Sequence, residues 1–213
     1  MPWFYYVVRV IVKTLLPLLT NWQVRGKENV PSKGAVIVVA NHLNLADPLV
    51  LGASLGRKAV FMTKTELFRS RLSSYFIRGL GAFPAQRGQL ARETLRQASQ
   101  VLANSLALVV FPEGSRSKNA QLQSAFSGSA LIALRNGIPI LPVGITGTEK
   151  IKGAAWFLHR PKITVNIGCP FSLPPVGSKL TRVELTELAN SIMERIAELL
   201  PPEYRGNYAE QRN

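Results

Sequence analysis

One cysteine, one aspartate and two histidines occur in 213 residues, and each scarcity closes a route to function. A lone cysteine, Cys169, excludes an internal disulfide, and it stands far from any Cys or His at a metal-ligand spacing, so disulfide scaffolds and zinc modules drop out. Cys169 is expected to be a packing residue of a protein suited to a reducing compartment, and no metal is expected. Acidic residues are also short: 12 Asp and Glu face 26 Lys and Arg, a formal net charge of +14. The excess is lopsided, with 23 basic and 6 acidic residues over 1–182 and 3 basic and 6 acidic over 183–213. A basic main body implies an anionic partner: nucleic acid, an anionic bilayer, a phosphorylated substrate or an acidic carrier protein, among which charge alone does not choose.

Long apolar runs are missing too. The stretch from Trp3 to Leu19 comes nearest, but Arg9, Lys13, Thr14 and Pro17 interrupt it, and it falls short of the roughly 20 apolar residues a spanning helix needs. Arg9 and Lys13 lie four apart, on one helical face, leaving Trp3, Phe4, Val7, Val10, Ile11 and Leu15 for the rest. That pattern describes an amphipathic anchor over residues 1–20 lying in a membrane interface; a helix packed on the core is the other reading. A secretory signal fits poorly, since the charges fall inside the apolar stretch and no small-residue cleavage site follows. Internal repeats, low-complexity tracts and domain linkers are absent, so residues 21–213 are expected to form a single domain.

What is present is alternation. The β-branched run Ala35–Ala40 reads as a strand buried on both faces. Similar runs follow at Ala59–Thr63, Gly81–Ala85, Leu106–Phe111, Ile138–Ile145 and Lys162–Ile167. Helical patterns fall between them at Pro48–Leu55, Thr65–Arg78, Gln89–Asn104 and Gly128–Arg135, and Thr181–Leu200 closes the chain as an amphipathic helix. The expected fold is α/β, with a central mixed, largely parallel sheet flanked by helices.

Chemistry-bearing residues cluster at strand ends. The first strand runs into Asn41-His42-Leu43-Asn44-Leu45-Ala46-Asp47-Pro48, which puts a histidine beyond the C-terminal end of a buried strand, where open α/β sheets bind ligands. Pro48 suits a first helical turn and Asp47 the cap before it. A loop folding back over that helix start can bring the carboxylate to one imidazole nitrogen and leave the other basic. Taken singly, Asp47 could be no more than a cap and His42 a loop residue. Asp47 is nevertheless the chain's one aspartate, and the other histidine, His159, sits in a Trp- and Phe-containing stretch with no acid close by.

A second cluster, Phe111-Pro112-Glu113-Gly114-Ser115-Arg116-Ser117, follows the strand at 106–110. Gly114 permits a tight turn, Glu113 offers a carboxylate to a hydroxyl, and Arg116 offers a planar fork to phosphate. A Pro-Gly turn with a surface ion pair has the same composition. Arg87 and Lys64 follow two further strands and could bind phosphate or stay solvated. Ile138–Val143, interrupted by Pro139 and Pro142, is suited to a sheet edge or rim.

Together, in this order and spacing, these elements resemble the glycerolipid acyltransferase family, in particular its short bacterial 1-acylglycerol-3-phosphate acyltransferase type, over about residues 20–170. His42 and Asp47 match the family's His-x-x-x-x-Asp motif. Phe111–Ser117 is similar to Phe-Pro-Glu-Gly-Thr-Arg-Ser, with Ser115 in place of Thr. Arg87 looks like the arginine of the second motif, with Gln86 where an acid is common, and Ile138–Val143 looks like the fourth. Where relatives often carry a basic residue, this chain has Ser127.

The resemblance implies that His42 takes the proton from an acceptor hydroxyl attacking an acyl thioester while Asp47 orients the imidazole. Lys64, Arg87, Glu113, Gly114, Ser115 and Arg116 would bind the acceptor, lysophosphatidate. It implies no cofactor beyond acyl-CoA or acyl carrier protein as co-substrate, a place on the cytoplasmic face of the cell membrane against anionic lipids, and no nucleic acid as partner. Another lysolipid or a glycolipid acceptor would suit the same His/Asp pair. A non-catalytic basic module would instead require a ladder of cations and aromatics and no role for His42.

Overall fold

A computed structural model of the chain describes residues 2–85, 91–174 and 181–209. Among these, seven strands form one sheet: β1 (Asn21–Arg25), β2 (Val36–Ala40), β3 (Ala59–Lys64), β4 (Ala82–Ala85), β5 (Ala107–Val110), β6 (Ile140–Thr146) and β7 (Lys162–Ile167). Their order is β1-β7-β6-β2-β5-β3-β4, with every neighbouring pair parallel except β6–β7. The sheet is mixed and largely parallel, as the alternation implied. Six α-helices accompany it among the described residues: α1 (Pro2–Leu19), α2 (Asp47–Ser54), α3 (Arg71–Gly79), α4 (Arg92–Ala103), α5 (Gly128–Asn136) and α6 (Arg182–Ala197).

Strand β2 shows why the run at 35–40 had to be central. Val36, Val38 and Ala40 point to one face and pack with Val50 and Leu51 of α2 and Leu16 of α1. Ile37 and Val39 point to the other, against Leu102 of α4, Ile132 of α5 and Ile192 and Met193 of α6. Side chains alternate across a strand, so a strand sandwiched by helices is apolar throughout. α6 opens with a capping box in which the Thr181 side chain accepts from Glu184 N–H while the Glu184 carboxylate accepts from Thr181 N–H.

Several expectations need correction. Strand β1, Asn-Trp-Gln-Val-Arg, lies at a sheet edge beside β7, and its half-polar alternation hid it from a search for apolar runs. The helix expected over Thr65–Arg78 divides into a 3₁₀ turn, Thr65–Phe68, and α3, because the Ser70 side chain accepts from Ser73 N–H and starts a new helix. Strand β6 is interior, between β7 and β2, not at an edge. Its Pro142 is tolerated because the β7 ladder is broken there: the Ile140–Phe171 bridge lies on one side, Val143 opposite Ile167 on the other, and Pro142 supplies only a carbonyl, to Gly168 N–H. Cys169 is exposed, not packed, because β7 has ended before it.

Helix α1 is fastened to the domain. Leu16 belongs to the core, Tyr5 is buried, and the Tyr5 hydroxyl accepts from Ala59 N–H at 3.1 Å. Arg9 is half-buried, so Arg9 and Lys13 do not mark one solvent face. The outer surface is instead apolar, with Trp3, Val7, Val10, Ile11 and Leu18 exposed. Among the described residues no helix is long and apolar enough to cross a membrane.

Candidate active site

Neighbouring parallel strands end side by side, so the loops after β2 and β5 meet at the C-terminal edge of the sheet. Asn41 fixes the first loop's start: its side-chain oxygen accepts from Ile145 N–H at 2.7 Å and its amide donates to the Ile145 carbonyl at 2.8 Å. The chain then turns so that the Asp47 Oδ2 atom accepts from Leu43 N–H at 2.6 Å, Asn44 N–H at 2.7 Å and His42 Nδ1 at 2.7 Å. Asp47 therefore does not cap α2. It lies in the helix's first turn after Ala46, and its buried carboxylate reaches back into the loop. A cap would have held the helix; this carboxylate holds the histidine.

A carboxylate only accepts, so Nδ1 carries the proton and Nε2 is left with a lone pair. No hydrogen bond engages Nε2 among the described residues. The imidazole stacks on Phe111, with ring centroids 4.2 Å apart and 21° between planes, and its side chain is 17% exposed. A histidine held on one edge and one face, and open at Nε2, is arranged as a general base.

The β5 loop supports this from below. Glu113, expected to face a substrate hydroxyl, is only 2% exposed; Oε1 accepts from His42 N–H at 2.9 Å and Oε2 from Gln123 N–H at 3.1 Å. Burial pushes its carboxyl up to about 7, against the two backbone N–H bonds that favour the ionised form and with a smaller push from the Asp47 charge. Ser117 N–H donates to the His42 carbonyl at 2.8 Å, so both backbone polar groups of His42 are held by the second loop. Gly114 has φ of +62°, and a Cβ there would lie 2.8 Å from the Phe126 ring. This is the one place in the loop where glycine is required twice over, by conformation and by space.

The structure thus brings His42, Asp47, Glu113, Gly114, Ser115 and Arg116 onto two interlocked loops. Ser115 Oγ donates to Gln123 Oε1 at 3.4 Å, and Arg116 is exposed with no ion pair among the described residues. Lys64 ends β3, across β5 from His42, and is half-buried. Arg87 lies outside the described residues. Asn41, Asn44, Phe111 and Gln123 shape the site without having been given a role from sequence. Asn44 accepts from Ala46 N–H at 3.0 Å and donates to the Ile151 carbonyl at 3.2 Å. Two asparagines flanking His42 in a loop were the available signal, since short amides satisfy loop backbone where no ladder exists.

Comparisons with known proteins identify the family. The family model described as Acyltransferase matches residues 21–146. A 1-acyl-sn-glycerol-3-phosphate acyltransferase of Streptococcus pneumoniae is 30% identical over 92% of this chain and 73% of its own length. The protein of that name from Bacillus subtilis is 24% identical over 88% of this chain and 92% of its own. Among solved structures, the 1-acyl-sn-glycerophosphate (LPA) acyltransferase PlsC from Thermotoga maritima superposes with a TM-score of 0.66 at 28% identity, covering 92% of this chain and 79% of that one. The matched segment holds β1 through β6 and the loops after β2 and β5, and on it the chain belongs to the acyltransferase family.

Proposed function

We propose that the protein is a 1-acyl-sn-glycerol-3-phosphate acyltransferase, moving a fatty acyl group from an acyl thioester to the sn-2 hydroxyl of lysophosphatidate to give phosphatidate. The observation that carries the reading is the His42 Nδ1–Asp47 Oδ2 contact of 2.7 Å, with Nε2 left open beside the Phe111–Ser117 loop. Relatives bearing that activity in their names, similar over nine-tenths of this chain, support the acceptor.

The reaction balances on one histidine. His42 Nε2 takes the acceptor's hydroxyl proton as the oxygen attacks the thioester carbonyl, and Asp47 offsets the imidazolium charge. The tetrahedral intermediate then collapses, the C–S bond breaks, and the imidazolium proton passes to the leaving thiolate. General-base help of this kind supplies about 10²–10⁴-fold; holding acceptor and donor in line supplies a further large factor. Glu113 acts as a positioning residue, fixing the His42 backbone. Arg116 and Lys64 bind the acceptor phosphate at the rim, Gly114 and Ser115 line its approach, and Arg87 adds a further cation to the phosphate.

The donor is acyl-CoA or acyl carrier protein, and no other cofactor takes part. The enzyme works as a peripheral or monotopic protein on the cytoplasmic face of the membrane, with the exposed apolar side of α1 in the lipid interface. The test is His42→Ala, assayed for transfer of a radiolabelled acyl chain from a thioester to lysophosphatidate and to a panel of other lysolipids. Transfer should vanish while circular dichroism and vesicle binding hold. Turnover at the wild-type rate would sink the mechanism, and a faster wild-type reaction on another lysolipid would sink the acceptor.

A further inference from the structure

The segment 150–162 carries a feature that acyl transfer does not use. It joins β6 to β7 and reads Lys-Ile-Lys-Gly-Ala-Ala-Trp-Phe-Leu-His-Arg-Pro-Lys, with four basic residues and no acid. The adjacent acid, Glu149, is engaged elsewhere, its Oε1 accepting from the Tyr204 hydroxyl at 2.8 Å. Lys150, Lys152, Trp156, His159, Arg160 and Lys162 line a cleft. Between the lining residues Trp156 and His159 in the chain, Phe157 is 42% exposed and Leu158 70%. Leaving a leucine and a phenylalanine in water beside a ring of cations stabilises nothing in the isolated fold. It matches an interface with apolar depth and anionic phosphates at its surface.

Position strengthens the match. The Arg160 guanidinium donates to the Pro17 carbonyl at 2.8 Å, in the last turn of α1, where Leu18 is exposed. Asn21 N–H donates to the Pro161 carbonyl at 3.0 Å. On the other side, the Asn44 amide donates to the Ile151 carbonyl, which ties the segment to the catalytic loop. The segment therefore bridges the last turn of α1 and the loop that holds His42, in which Leu45 is also exposed.

We infer that residues 150–162 form a second membrane foot: Phe157 and Leu158 enter the interface, and the cleft lined by Lys150, Lys152, Arg160 and Lys162 holds the phosphate of an anionic lipid. The inference rests on the membrane reading of α1 and extends it to a surface selective for anionic head groups. One foot on α1 fixes depth; a second, bonded to the catalytic loop, fixes which way the site faces.

The experiment uses the full chain and vesicles of phosphatidylcholine with or without phosphatidylglycerol. In Trp3→Phe/Trp22→Phe, where Trp156 is the remaining tryptophan, brominated lipids should quench its fluorescence on the anionic vesicles. In the otherwise native chain, Lys150→Gln/Lys152→Gln should weaken partition onto anionic vesicles roughly thirtyfold at low salt, from about fivefold per cation. It should leave partition onto phosphatidylcholine, and turnover of a short-chain monomeric acceptor, unchanged. Absence of quenching, or an unchanged preference for phosphatidylglycerol, overturns the proposal. So does an unchanged vesicle affinity with a raised KM for acyl carrier protein, which would assign the cations to a protein partner. His42→Ala ends turnover but does not touch this surface, so the catalytic reading and this one fail separately.

Discussion

The molecule carries two kinds of surface. Around His42 the two loops are locked: His42 N–H, His42 C=O, Leu43 N–H and Asn44 N–H all find partners within 2.9 Å, on Glu113, Ser117 or Asp47. Elsewhere, on the outer face of α1 and at residues 157 and 158, large apolar side chains stand exposed. The locked half is arranged like a catalytic site, where a small displacement costs rate. The open half is arranged like a docking surface, where many weak contacts add and no single one decides. Substitutions in the first should therefore change kcat, and in the second should change membrane affinity.

The largest effect is expected from Asp47→Asn. The amide cannot replace an acceptor that takes three donors on one oxygen, and it allows the imidazole to hold its proton on the wrong nitrogen. Turnover should fall by about 10³–10⁴-fold, close to the loss in His42→Ala, with membrane affinity unchanged. Stability should drop by roughly 1–3 kcal/mol, because buried N–H groups lose their partner. A variant losing less than tenfold in kcat would break the equation of rigidity with catalysis.

Glu113 comes next, and its pH dependence gives the sharper reading. The ionised carboxylate accepts two N–H bonds, and burial raises its carboxyl to about 7, so acidification protonates it and removes an acceptor from the His42 backbone. Loss of that acceptor loosens the loop carrying His42, so kcat/KM should fall as pH drops below about 7. Glu113→Gln should remove that fall, at about ten- to a hundredfold lower kcat with KM for the donor little changed. The stability linkage has the opposite direction. A folded value raised above the ordinary carboxylate value of about 4.5 means that Glu113's contribution is fully present below that pH and is lost as pH rises through about 7. The loss is on the order of 3 kcal/mol and should be missing from Glu113→Gln in denaturant titrations across that window.

How much of this could be read beforehand divides along the same line. The strands at 36–40 and 107–110 are continuous β-branched or apolar runs because both faces are covered, and such runs announce themselves. The His42–Asp47 spacing was likewise legible, because both residues lie within one turn of chain. Glu113's direction was not: whether a carboxylate after a strand looks at substrate or at a neighbouring loop depends on β2 and β5 being adjacent in the sheet, a pairing between residues about 70 apart. The placement of β6 failed for a related reason. A proline argues for an edge only if its missing N–H would otherwise meet a partner, and at Pro142 the β7 ladder is interrupted by an irregular register that leaves no local trace.

Gly114→Ala tests the boundary of the locked half at smaller cost. A positive φ disfavours any Cβ by about 1–2 kcal/mol, and the new methyl would meet the Phe126 ring at 2.8 Å. Phe126 is half-exposed, so its ring can swing away, while the backbone strain remains. Stability should fall by about 1–2 kcal/mol in thermal unfolding, with a modest loss of kcat. Phe126→Leu added to Gly114→Ala should relieve the steric part alone; complete rescue would show that conformation at residue 114 is immaterial.

The smallest effect on chemistry, and the cleanest on docking, belongs to the outer face of α1. Val10 and Leu18 are both more than 60% exposed and contact nothing that positions His42. If that face sits in lipid, each side chain buried there contributes up to about 1.5–3 kcal/mol to partition, so incomplete burial leaves about three- to tenfold in vesicle affinity per substitution to Ser. The two changes should multiply, since apolar burial adds over separated sites, and neither should alter kcat on a short-chain monomeric acceptor. On vesicle-borne lysophosphatidate the apparent KM should rise by the same factor as the affinity falls. Equality of those two factors is the informative outcome. A KM that rises more than the binding constant would mean that α1 also orients the loop it adjoins, and the division between a locked and an open half would then have to be redrawn through the helix itself.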